Sequence, residues 1–105
     1  FVELVENGMV TGPEAERVVE QSVRPLIDAG ADTIVLGCTH YPFLAETIIK
    51  VAGTPVTLVD PAPAVAKHLL EVMQEKQLLR KEGFKMTLYS SGDISTLETT
   101  FKNLI

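Results

Sequence analysis

Apolar positions recur along the chain in two alternating periods. Phe1, Val2, Leu4 and Val5 form an opening cluster that stops at Asn7-Gly8, a turn signal. Ala15, Val18, Val19, Val23, Leu26 and Ile27 then lie on one stripe at helical spacing. Pro13 stands at or near the first position of that helix, Glu14 and Glu16 set negative charge against the positive end of its dipole, and Gly30 suits its close. Thr33-Ile34-Val35-Leu36 is a short β-branched run of the kind buried on both faces of a parallel sheet. Gly37-Cys38-Thr39-His40 is the turn that leaves it, and Pro42 opens the next helix, with Phe43, Leu44, Ile48 and Val51 inward. Val56-Thr57-Leu58-Val59 predicts a second buried strand. Asp60 reads as the N-cap and Pro61 as the first position of a helix carrying Val65, Leu69, Val72 and Met73 on one face. Gln74 to Gly83 is polar and reads as a solvated helix end and loop. Met86-Thr87-Leu88-Tyr89 predicts a third strand, Ser90-Ser91-Gly92 a turn, and Asp93 the cap of a last helix bearing Leu97, Phe101 and Leu104.

Helices and strands in alternation predict an α/β fold, a three-layer arrangement with a mostly parallel sheet between flanking helices. Such sheets bind ligands outside the carboxyl ends of their strands. The turns at 37–41, 60–63 and 90–93 are therefore the candidate site loops.

Composition narrows the classes. The 105 residues, 46% hydrophobic and 22% charged, suit one domain-sized unit, which on folding should bury roughly 60–65% of the unfolded surface. One cysteine allows no internal disulfide and fits a reducing cytosol. A formal net charge of −5 argues against nucleic acid or an anionic membrane as partner. No apolar run approaches the ~20 residues of a membrane span. Phe1 stands where a complete gene product would have Met, so the chain reads as a piece of something longer.

The turn from Gly37 to Pro42 carries the chemistry. Gly37 allows a sharp bend. Cys38 lies at a strand end just ahead of a helix, where free backbone N–H groups favour a thiolate. Thr39 offers a hydroxyl suited to a carboxylate or phosphate, and His40 lies close enough in sequence to relay the thiol proton. Blander readings stand beside these: Cys38 as an inert small core residue, His40 as a structural hydrogen-bonder, Glu6 as a surface carboxylate beside a turn. Cys38 and His40 lack the further ligands of a structural zinc site, and His68 reads as a surface residue on a helix.

Leu36-Gly37-Cys38-Thr39-His40-Tyr41-Pro42-Phe43-Leu44 resembles the signature around the second catalytic cysteine of glutamate racemases, in the aspartate/glutamate racemase superfamily. Residues 1–8, Val59-Asp60 with the Ala-rich helix after it, and Tyr89 to Asp93 resemble neighbouring stretches of the same family. Other superfamily members share Gly-Cys-Thr; His40-Tyr41-Pro42 points to glutamate.

The resemblance implies a cofactor-independent proton transfer between two cysteines on opposite faces of the substrate. It needs no metal, pyridoxal phosphate or nucleotide. It makes Cys38, His40 and Glu6 catalytic, with Cys38 acting on D-glutamate and Glu6 assisting His40, and gives Thr39 and His40 contacts to substrate. It places the chain as the carboxyl-terminal part of a two-lobe enzyme in the cytoplasm, supplying D-glutamate for peptidoglycan, cell-wall biogenesis and cell shape. Residues 1–55 would belong to the second lobe and 60–105 would return to the first. The missing amino-terminal lobe is then a partner, and a homodimer is compatible with the family. The chain departs from the family by holding one cysteine, so alone it is expected to be inactive, and by Asp60-Pro61 where Asp-Ser is frequent. The alternatives are an aspartate or hydantoin racemase relative, and a non-catalytic anion-binding or thiol-sensing α/β module.

Overall fold

The computed structural model describes residues 1–80 and 82–105. A short helix, α1 (Val2–Glu6), opens the chain, and a longer one, α2 (Pro13–Asp28), follows. Pro13 takes the first turn of α2, as its missing N–H and fixed φ favour. At the far end Gly30 adopts φ 87°. Its N–H bonds to Ile27 O at 2.9 Å and the Ala31 N–H to Leu26 O at 3.0 Å, the paired closure that needs a left-handed residue.

Strand β1 (Thr33–Val35) leads through the 37–40 turn into a 3₁₀ turn (Tyr41–Leu44) and α3 (Ala45–Ala52). Strand β2 (Thr57–Val59) then pairs parallel with β1, Ile34 opposite Leu58. This β1–α3–β2 unit confirms the expected parallel pairing and places both strands' carboxyl ends on one side. The chain continues into α4 (Ala62–Glu75) and ends in α5 (Ile94–Leu104). Asp60 Oδ1 accepts from the Ala62 N–H at 2.9 Å, and Asp93 caps α5 by accepting from the Ser95 N–H at 3.3 Å, both as the sequence predicts.

Every buried apolar residue among those described lies between Leu4 and Ala52. Leu4 and Val5 of α1, Ala15, Val19 and Val23 of α2, and Leu44, Ile48, Val51 and Ala52 close over Leu36 at the end of β1. Ile34 and Leu58 point into this core from the sheet. Lys50 Nζ meets Glu16 Oε1 at 2.7 Å and Arg24 donates to Val51 O at 3.0 Å, tying α2 to α3 across the surface.

Three expectations fail. The strands are not buried on both faces: Val35 is 65% exposed and Val59 42%, because α2 and α3 cover one face and the described residues leave the other open. No strand forms at 86–89 among the described residues; Met86 and Tyr89 are exposed. The two-stranded sheet keeps an outer edge on each of β1 and β2, and the 86–89 segment pairs with neither. Finally, α4 buries no residue, leaving Val65, Leu69 and Leu70 more than half exposed. Accessible surface is accordingly 8045 Å², against roughly 5,800 Å² for a compact monomer of this mass. The radius of gyration is 17.1 Å, against about 13 Å for a compact chain of this length. Of the polar segment from Gln74 to Gly83, Lys81 lies outside the described residues, and the rest is exposed.

Candidate active site

The site follows from where β1 stops. Leu36 is buried and its N–H bonds to Val59 O at 2.9 Å, the last rung of the sheet. Beyond it Gly37 releases the backbone, and the Tyr41 N–H closes back on Cys38 O at 3.1 Å. Cys38 is thereby held half-buried at the carboxyl edge, with Thr39 exposed beside it. Pro42 lies in the first turn of the 3₁₀ segment, as expected, and Leu44 anchors that segment in the core.

A cavity of about 460 Å³ opens here, walled by Gly37, Cys38, Thr39 and Pro42 from the first strand end and by Asp60, Pro61 and Val65 from the second. Two of the three candidate loops thus meet, as the parallel pairing requires. The third does not: residues 90–93 are absent from the walls of this cavity.

Within the turn, His40 folds back on its neighbours. Its Nδ1 lies 3.8 Å from Cys38 Sγ, within sulfur hydrogen-bond range, and 3.5 Å from Thr39 Oγ1. Its other nitrogen, Nε2, lies 3.6 Å from Glu6 Oε1, beyond hydrogen-bond distance. Glu6 is the last residue of α1, 34 positions away in sequence. The helix holds it there because Leu4 and Val5 are buried and Phe1 packs edge-on against Tyr41, ring centroids 5.1 Å apart. Thiol, imidazole and carboxylate therefore lie in line: Cys38, His40, Glu6. Such a line can hold the ring in one orientation and pass a proton to or from the sulfur.

Thr39 is exposed, with its hydroxyl facing the His40 ring. His68 is a surface residue as expected, its ring 3.6 Å from Glu71. Among the described residues no group of three or more His, Cys, Asp and Glu side chains is arranged to hold a metal ion, and no helix is long and apolar enough to cross a membrane. Sequence reasoning did not find Thr100. This α5 residue donates from Oγ1 to the backbone carbonyl of Glu6 at 3.1 Å across 94 positions, a separation that leaves no local signal.

A parallel α/β unit thus carries a cysteine-bearing turn at the carboxyl edge of its sheet. The chain belongs to the Asp/Glu/Hydantoin racemase family, whose model matches residues 2–69. It is 39% identical over 99% of its length to a glutamate racemase from Carboxydothermus hydrogenoformans, and 49% identical over 95% to one from Deinococcus radiodurans. It spans 37% and 32% of those two relatives, so about a third of their length. The fold matches the crystal structure of glutamate racemase from Francisella tularensis in complex with D-glutamate at TM-score 0.73 and 30% identity, covering 97% of this chain and 40% of that one. It also matches the glutamate racemase from Thermus thermophilus in complex with β-chloro-D-alanine at TM-score 0.74 and 33% identity, covering 99% and 40%.

Proposed function

We propose that the chain is the carboxyl-terminal part of a two-lobe glutamate racemase and carries one of its two proton-transferring cysteines. The observation that carries this reading is the position of Cys38: on the wall of the strand-end cavity, backed by His40 and Glu6. Relatives named for the reaction and solved with D-glutamate or a chlorinated D-amino acid support it.

Taking the α-hydrogen from glutamate breaks a C–H bond of very low acidity. The Cys38 thiolate accepts that proton and becomes a thiol, leaving a planar carbanion with charge spread onto the α-carboxylate. A second cysteine, from the other lobe, donates its proton to the opposite face and becomes a thiolate. Inversion is complete and the two sulfurs have exchanged roles. Alignment and donors to the growing carboxylate charge lower the barrier. Thr39 Oγ1, at the cavity wall, is the donor this chain supplies, and His40 contacts the substrate from the same turn. His40 also orients the thiol and carries its proton, while Glu6 holds the ring through Nε2. None of these steps uses a metal, pyridoxal phosphate or nucleotide. In the cell the product serves peptidoglycan synthesis, and so wall biogenesis and cell shape, in the cytoplasm, where a lone thiol stays reduced.

Residues 1–55 belong to one lobe in this reading, and residues from 60 onward return to the other. The exposure of α4 supports that division for residues 62–75, whereas α5 lies against the first part through Leu104 and Thr100.

Solvent exchange tests the activity. Full-length enzyme in deuterated buffer should exchange the α-proton of D- and L-glutamate at least about tenfold faster than that of aspartate. Faster exchange on aspartate or a hydantoin would reassign the substrate. No exchange on any of them would leave a binding or thiol-sensing module.

A further inference from the structure

We infer that Thr100, on the last helix, is a positioning residue for the proposed racemisation: it sets the end of α1 so that the Glu6 carboxylate faces His40. This rests on the racemase reading above.

The need for such a residue follows from the shape of α1. The last carbonyls of a helix have no partners within it. In α1 those of Glu3, Leu4 and Val5 are taken locally, by Asn7 N–H and Nδ2, Met9 N–H and Gly8 N–H. The carbonyl of Glu6, the next in order, accepts from Thr100 Oγ1 at 3.1 Å. One bond from the far end of the chain thus completes the capping at the residue whose side chain reaches His40 Nε2 at 3.6 Å.

The rest of Glu6 is loosely held. Its side chain is 60% exposed. The chain turns immediately after it at Gly8, with φ 70°. The next firm anchor is Thr47, a buried residue of α3 that donates to Val10 O at 2.7 Å. Between Val5 in the core and Val10 on Thr47, the Thr100 bond is the tertiary constraint acting at Glu6 itself. Helix α5 lies over this corner without burying a residue of its own: Leu104 packs partly buried against the core, and Leu97, Thr100 and Phe101 line with Val5, Thr39 and His40 a cleft of about 250 Å³. Thr100 therefore couples α5 to the Cys38–His40–Glu6 line through the Glu6 carbonyl.

The test compares the full-length wild type with T100V, T100S, E6Q and the double variant T100V/E6Q, reading kcat and KM for D-glutamate. Valine keeps the shape of threonine and lacks the hydroxyl; T100A is a second hydroxyl-free variant should valine fold poorly. Loss of positioning should lower kcat roughly 3- to 30-fold with KM changed by less than about twofold. T100S should restore kcat to within about twofold of wild type. On the E6Q background, T100V should add nothing, because the group it positions is gone. An unchanged kcat in T100V, no rescue by serine, or an equal fall on the E6Q background would overturn the inference while the racemase reading stands. A wild-type enzyme that exchanges no α-proton would overturn both.

Discussion

Glu6 Oε1 and His40 Nε2 stand 3.6 Å apart although they come from different elements, one ending the first helix and the other sitting in the turn after the first strand. Opposite Glu6, the same imidazole places Nδ1 3.8 Å from Cys38 Sγ. A ring held between a carboxylate and a thiol has its two nitrogens assigned different tasks, and their consequences can be separated by substitution.

If Cys38 is one of two proton carriers, as proposed, Cys38→Ala in the full-length enzyme should abolish racemisation. The fold should survive, with cooperative unfolding at a melting temperature a few degrees lower, since trimming a half-buried thiol costs ~1–3 kcal/mol. Turnover within tenfold of wild type, measured by polarimetry on D-glutamate, would remove Cys38 from the reaction.

His40→Ala should slow turnover by roughly 10- to 1,000-fold, as for loss of a general acid–base group. Glu6→Gln should cost less, roughly 3- to 30-fold, because the carboxylate acts through the ring. In the His40→Ala background the Glu6→Gln change should have little further effect. Independent, multiplying losses in that cycle would mean that Glu6 works apart from His40.

Val35→Asp probes what covers the open sheet face. Val35 is 65% exposed among the described residues, and a change at a truly solvated site shifts stability by only about 0.5 kcal/mol. If the other lobe lies on this face, the full-length protein should lose more than about 2 kcal/mol in urea unfolding, the cost of burying an unpaired charge. A neutral result would place the lobe elsewhere.

Asp93→Ala should weaken α5 in a pH-dependent way. The Ser95 hydroxyl, then the Thr96 hydroxyl and the Ser95 N–H, hold the Asp93 carboxyl below its ordinary value. With the folded value the lower one, the unfolded chain binds more protons in the acid range, so this stabilisation is present above about pH 4 and is lost as pH falls through the folded value. Melting temperature followed from about pH 7 down to about pH 2.5 should show wild type and variant converging at the acid end. A constant gap across that range would mean that the cap acts without its charge.

Much of the local structure was legible because its causes lie within a few residues. Pro13, Gly30, Asp60 and Asp93 each act on backbone groups no more than a turn away, and each does in the structure what its neighbours in sequence imply. The same holds for the turn at Cys38: a β-branched run, a glycine and a proline suffice to put a thiol at a strand end. The resemblance of that turn to the glutamate racemase signature then carried the assignment further than periodicity could.

Contacts between distant segments were not legible in this way. The run from Met86 to Tyr89 has the composition of a strand, yet strand pairing is a property of two segments, and this run reaches neither outer edge of the β1–β2 sheet. Val35 and Val59 have the side chains of buried residues and lie exposed, since burial depends on what else arrives. Thr100 looks like any helical threonine until it meets Glu6, 94 positions away. The sequence by itself determined helices α2 to α5, the two paired strands and the turn that carries Cys38, because propensity, capping and hydrophobic period act over one or two turns of chain; the opening apolar cluster gave no sign that it would be helix α1. The pairing of Glu6 with His40 came from the family resemblance alone, and only the tertiary structure decided its distance and the bond from Thr100 of α5 to the Glu6 carbonyl. Those distances are set by packing Leu4, Val5 and Leu44 into one core, which no single segment encodes.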